Sequence, residues 1–169
     1  MTTWPADRIE HRPIAKLVPY ANNARKHSDA QIEQIKAAIE TFGWTIPVLI
    51  DDTGMIIAGH ARVMAATRLG LDEVPVMIAT GWTEEMIRAY VIADNQLALG
   101  ATWDETLLAD ELHALKAEGF ALELLGFDAP TLESLMFDPT FGAAGEDEQG
   151  QLDEKKQCIC PACGHAFAP

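Results

Sequence analysis

Residues 59–62, Gly-His-Ala-Arg, follow the apolar run Met55-Ile-Ile-Ala58 and open a segment with helical spacing that runs to Leu69. A strand that hands over to a helix in this way leaves unpaired backbone N–H groups and the positive end of the helix dipole facing outward. Such a corner binds anions. Arg62, in the first turn, adds a forked, charge-assisted grip that suits phosphate, and Gly59 lets a ligand approach the backbone closely. His60 could hydrogen-bond that ligand, or act on it as a proton shuttle or nucleophile near neutral pH. Taken alone, the stretch also suits an ordinary helix start with Arg62 in a surface ion pair.

Three further groups carry chemistry. The polar loop Asn22-Asn-Ala-Arg-Lys-His-Ser-Asp29 holds Arg25, Lys26 and His27 ahead of a capped helix, where they either fold over the same anion or stay solvated beside nearby acids. In Ala93-Asp-Asn-Gln-Leu-Ala-Leu99, three polar residues interrupt an apolar stretch and need hydrogen-bond partners or a ligand if buried. Asp94 and Asn95 offer the carboxylate and amide oxygens that suit Mg²⁺; an exposed helical turn is the alternative. The tail Cys158-Ile-Cys160-Pro-Ala-Cys163-Gly-His165 resembles half of a zinc ribbon, with a C-x-x-C knuckle in which two thiolates could reach one metal. Cys158 and His165 bring the candidate Zn²⁺ ligands to four. Cys158 and Cys160 are two apart and, if extended, point to opposite sides, so a zinc shared between two chains or with a partner is an alternative, as is an unligated or redox tail.

These groups need elements to position them. Residues 12–20 read as a short strand ending at Pro19. Ser28 and Gln31 form a capping box for a helix with Ile32, Ile35, Ile39 and Phe42 on one face, closed by Gly43. The runs Trp44–Asp51 and Met55–Ala58 are two strands joined through Asp51-Asp-Thr-Gly54 as a hairpin. The helix Ala61 to Leu69 stops at Gly70, and residues 74–79 form another strand. A helix starts at Thr83 and runs toward Leu99, another starts at Thr102 with Glu105 as its box partner, and a short one spans about 129–137. Trp44, Trp82 and Trp103 read as packing anchors, and Met55, Met64, Met77 and Met86 as core residues. Residues 138–157 are Gly-rich and acidic and read as a linker. The expected domains are therefore a core over 1–100, a helical extension over 101–137, the linker, and the Cys-rich tail over 158–169.

Composition narrows the function classes. The chain has 169 residues and a formal charge of −14. Residues 1–100 carry nine Lys/Arg against twelve Asp/Glu, and residues 101–169 carry three against fourteen. Phosphate-backbone binding needs clustered Lys/Arg, so DNA contact is expected from residues 1–100 or through a partner protein. No apolar run is long enough to cross a bilayer and the N-terminus lacks a signal pattern, which points to a cytoplasmic protein without membrane contact. All three cysteines lie from 158 onward, too few and too close for a secreted disulfide framework.

In order along the chain, "KLVPYANNARKHSD", a helix, "FGWTIPVLID", "MIIAGHARVMAATRLGLDEVPVMI" and "ADNQLAL" resemble the ParB/sulfiredoxin superfamily over residues 9–100. The chain looks most similar to the ParB-like N-terminal (nuclease) domains of phages and mobile elements, often found beside DNA methyltransferases. The resemblance implies an α+β fold, a small mixed sheet with packed helices, and a nucleotide site for a nucleoside triphosphate with Mg²⁺. Arg25 would belong to its first motif, Gly59, His60 and Arg62 to its phosphate-gripping second, and Asp94 and Asn95 to its third. Asp94 stands where that third motif has Glu, and Ala98 where it has Arg. His60 stands where sulfiredoxins have cysteine, so sulfiredoxin chemistry is not expected. Nor is a recognition helix with exposed Arg, Lys or Asn evident beyond the core. Three functions follow as expectations. The first is binding of CTP or ATP in phage or mobile-element DNA metabolism, as an accessory to DNA modification or segregation, with homodimerisation compatible. The second is a nucleotide-dependent phosphotransferase, hydrolase or nuclease using His60 or Asp94, and the third a noncatalytic adaptor with a zinc-binding tail.

Overall fold

Ser28 shows how the sequence starts its helices. In a computed structural model, its Oγ accepts the Gln31 N–H and α1 runs Asp29–Phe42 behind it. The box is only half closed, because the Gln31 side chain bonds His27 Nδ1 instead (3.0 Å). The structure describes residues 5–137, Cys158–Ile159, Cys163 and Ala166–Phe167.

Among the described residues before α1, the one strand is β1 (Ile9–Pro13). It lies earlier than the expected one: after Pro13 the backbone makes a 3₁₀ turn at Ile14–Lys16, and the rest of the expected strand contributes a single bridge from Val18 to Met55. After α1 come β2 (Val48–Ile50), β3 (Ile56–Ala58), α2 (His60–Arg68) and β4 (Glu73–Ile78). The expected hairpin is present, with Asp51 Oδ1 collecting the N–H groups of Thr53 and Met55. Gly54 is required there: its φ is +91° and a Cβ would stand 2.8 Å from the Lys16 carbonyl oxygen.

The four strands form one mixed sheet in the order β1-β4-β2-β3, with β4 antiparallel to β1 and parallel to β2. Successive residues of β3 face opposite sides. Ile56 packs with Val63 and Ala66 of α2 and with Leu17, Val48, Ile50, Val74 and Val76. Ile57 packs with Ala79 and with Ile87 and Val91 of the next helix, α3 (Glu84–Leu97). On its outer side α2 offers only Ala61 and Ala65 to Ile32 of α1, so the two helices can approach closely. The strand-to-helix corner at residues 58–62 is thus held between two apolar layers.

α3 starts at the Thr83 cap and passes into a 3₁₀ turn at Ala98–Gly100. α4 (Glu105–Ala117) begins later than expected because Asp104, not Thr102, caps it: Asp104 Oδ1 accepts the Leu107 N–H. A 3₁₀ turn at Leu122–Leu125 leads to α5 (Ala129–Leu135), and Phe120 stacks on Phe42 with centroids 6.0 Å apart. Trp44 and Trp82 pack against the core as expected, whereas Trp103 is 69% exposed and touches Phe127 at the surface. Met64 and Met86 are also exposed, since their helices turn those positions away from the sheet.

Residues up to 136 form one compact unit and 137–169 a second. In the second, β5 (Cys158–Ile159) pairs antiparallel with β6 (Ala166–Phe167). Cys163 lies in the turn between them and is exposed. Cys160 and His165 lie outside the described residues, as does the segment read as a linker. Among the described residues no helix is long and apolar enough to cross a membrane.

Candidate anion-binding site

Gly59 sits at φ +99° and caps α2, so the chain turns from β3 directly into the helix and leaves the first-turn N–H groups facing outward. Beside this turn lies a cleft of about 180 Å³ lined by Arg25, Gly59, His60, Arg62, Asp94 and Asn95, among others. All six core positions singled out from the sequence therefore converge, although they come from a loop, a strand-to-helix turn and the end of α3. Lys26 does not line it. Three residues carried no clear sequence signal: Asn23 in this cleft, and Tyr20 and Arg88 in a compartment that adjoins it. Asn23 lines the cleft and shapes the loop, accepting the Arg25 N–H at Oδ1 (3.0 Å).

His60 is half-buried. Its Nε2 accepts the Tyr20 backbone N–H (3.3 Å), which leaves the ring proton on Nδ1. Burial pushes its pKa below the ordinary histidine value, and the nearby His27 adds to the effect. The ring is therefore neutral near pH 7 and ties the 20–27 loop to the helix start. Proton transfer by His60 would have to run through Nδ1.

Arg62 makes no surface ion pair with any described residue. Its Nη1 donates to the carbonyl oxygens of Ile46 and, at 3.2 Å, Pro47, just ahead of β2. The guanidinium lies across Gly59, where a Cβ would meet Nη2 at 3.1 Å. Burial lowers the pKa of Arg62 and the Asp94 carboxylate counters that effect, so the arginine stays charged in a half-buried place. An anion at the helix start would find this cation beside it with Nη2 and Nε unused by the backbone contacts.

Asp94 is exposed, and Asn95 donates from Nδ2 to the Val91 carbonyl (2.8 Å), which fixes the amide and leaves its oxygen as an acceptor. Among the described residues no three His, Cys, Asp or Glu side chains gather to hold a metal by themselves. That set fits Mg²⁺ only in the common manner in which one carboxylate shares the ion with ligand phosphates. A second cleft of about 380 Å³ adjoins the first, sharing Asn23, Arg25 and Asn95, and extends between Tyr20 and the α3 face that carries Arg88, Val91 and Asn95.

Comparison with known proteins bears on this arrangement. The family model described as the ParB N-terminal domain matches residues 2–95, more than half of the chain, and one described as the ParB-methyltransferase HTH domain matches residues 106–160. The second match covers α4 and α5, which the sequence had suggested only as a helical extension. α5, with the sequence APTLESL, carries no Lys or Arg. The chain is 55% identical over 78 residues to the ParB-like nuclease domain-containing protein YnaK of Escherichia coli, covering 46% of this chain and 90% of that protein. It is 31% identical over 126 residues to the nucleoid occlusion protein of Bacillus thuringiensis, covering 70% of this chain but only 43% of that protein. The fold is similar to that of the C-terminally truncated chromosome-partitioning protein ParB from Caulobacter crescentus complexed with CTP-γ-S, with a TM-score of 0.63, 22% identity and 77% coverage of each chain. From the family match over its sheet and first three helices, the chain belongs to the ParB N-terminal domain family.

Proposed function

We propose that the chain binds a nucleoside triphosphate, CTP or ATP, and acts in the DNA metabolism of a phage or mobile element as an accessory to DNA modification or segregation. The observation that carries this reading is the convergence of Arg25, Gly59, His60, Arg62, Asp94 and Asn95 on one cleft at a helix start. The phosphates would rest on the α2 N–H groups and Arg62, and Asp94 would share a Mg²⁺ with them. The CTP-γ-S held by the similar Caulobacter protein supports the class of ligand. The partitioning, nucleoid occlusion and methyltransferase names of the similar proteins support a role around DNA. With a formal charge of −14 and no basic residue on α5, DNA would be reached through residues 1–100 or through a partner. Binding is preferred over catalysis by His60, because its Nε2 already holds the Tyr20 N–H.

Isothermal titration with CTP, ATP, GTP and their diphosphates, with and without Mg²⁺, tests this. At least one triphosphate should bind, more tightly with Mg²⁺, and Arg62→Ala should weaken it while circular dichroism shows the fold retained. No binding by any nucleotide, or equal binding by the variant, would remove the proposal.

A further inference from the structure

The larger compartment is electropositive although the chain is acidic. In a chain with 26 Asp and Glu against 12 Lys and Arg, it is lined by two arginines, Arg25 and Arg88, and by no carboxylate. Arg88 forms no ion pair with any described residue, although Glu84 and Glu85 stand four and three positions before it on α3 and its charge adds to the hydrogen bonds that lower the Glu85 pKa. The floor beneath it is apolar: Val91 is 4% exposed, and Ile92 and Leu99 continue the same wall. Charge interactions above an apolar floor are stronger than in open water. Asn95 and Arg25 line both this compartment and the anion cleft, so a ligand can run from one to the other without leaving their reach. Ala98, three positions beyond Asn95, lines neither.

We infer that Arg88 receives the far phosphate of a ligand whose nearer phosphates sit at Gly59–Arg62, and so makes the site distinguish a triphosphate from a diphosphate. This rests on the nucleotide-binding reading above and adds to it the residue that counts phosphates. An arginine on α3, with no acid in ion-pair contact, supplies a second cation at the opposite end of the ligand from Arg62. One charge-assisted hydrogen-bonded contact to phosphate corresponds to a preference of about tenfold or more.

The test is titration of the full chain with CTP, CDP, ATP, ADP, inorganic tripolyphosphate and pyrophosphate at constant Mg²⁺. For the wild type, each triphosphate should bind about tenfold more tightly than its diphosphate. Arg88→Ala should bring that ratio close to one with little change in diphosphate affinity, and Arg88→Lys should keep part of it. Arg8→Ala, the same loss of charge outside the cleft, should leave the ratio as it was, which separates contact from general field. A ratio unchanged in Arg88→Ala while triphosphate still binds would overturn the inference and spare the nucleotide-binding reading. An equal loss for di- and triphosphate would also overturn it, because Arg88 would then touch another part of the ligand. No binding of any of the six probes would overturn both.

Discussion

Replacing Gly59 by alanine tests whether the helix start and Arg62 act as one unit. The backbone at Gly59 has φ +99°, where an L-residue costs about 1–2 kcal/mol. Loss of glycine freedom in the unfolded chain returns about 0.4–1 kcal/mol, for a net cost of about 1 kcal/mol. The new Cβ would also stand 3.1 Å from Nη2 and 3.4 Å from Cζ of Arg62. The guanidinium is the far end of a long side chain and can move, but moving it strains the Nη1 bonds to the Ile46 and Pro47 carbonyls, which adds about 1 kcal/mol. Gly59→Ala should therefore destabilise by about 2 kcal/mol, a fall in Tm of about 6–10 °C for a unit of this size. In an Arg62→Ala background the contact is gone, and the same substitution should cost only about 1 kcal/mol. Urea unfolding of the four chains of this cycle measures the difference directly. An identical cost in both backgrounds would refute the claim that Arg62 rests on Gly59, and a stabilising Gly59→Ala would refute the backbone argument as well.

Two further outcomes are expected. Because burial lowers the pKa of His60, the folded state favours the neutral ring: its contribution is complete above the ordinary histidine value of 6.5 and is lost as pH falls through the lowered folded value. Urea midpoints should fall between about pH 7 and pH 5, and His60→Gln should flatten that part of the profile; an unchanged slope would count against the buried, neutral ring. Asp104→Ala removes the cap of α4 and should destabilise by about 1 kcal/mol by thermal melting, whereas Thr102→Ala, at the cap expected from sequence, should have little effect.

The sequence carried the helices and the hairpin well because their signals are local. Ser28, Thr83 and the Ile32-Ile35-Ile39 spacing act within one or two turns, and Asp51-Asp-Thr-Gly54 closes on itself. The first strand was placed too late because its partner is distant: Ile9–Pro13 is a strand only by pairing with Glu73–Met77. The α4 start was misread by two residues because Thr102 and Asp104 are both good caps, and the competing box with Glu105 was as legible as the bond that forms. For the cleft, the motif residues were legible from their order along the chain. Arg88 and Tyr20 were not, since an exposed arginine in mid-helix and a tyrosine after Pro19 acquire meaning only once α3 and the 20–27 loop face each other. The surface positions of Met64 and Met86 follow similarly from helix rotation, which periodicity over short segments does not fix, and Trp103 lies in the irregular segment just before α4.

The two walls of the cleft are built differently. Residues 58–62 are welded between apolar layers through Ile56 and Ile57, so a ligand meets that wall already in place. The opposite wall, residues 20–27, has no regular structure and is fastened by a few bonds, among them Tyr20 N–H to His60 and Arg25 N–H to Asn23. Backbone ordering entropy on ligation would fall mainly on that wall. Affinity should consequently be tunable by stiffening residues 20–27, with no alteration of any group that touches phosphate.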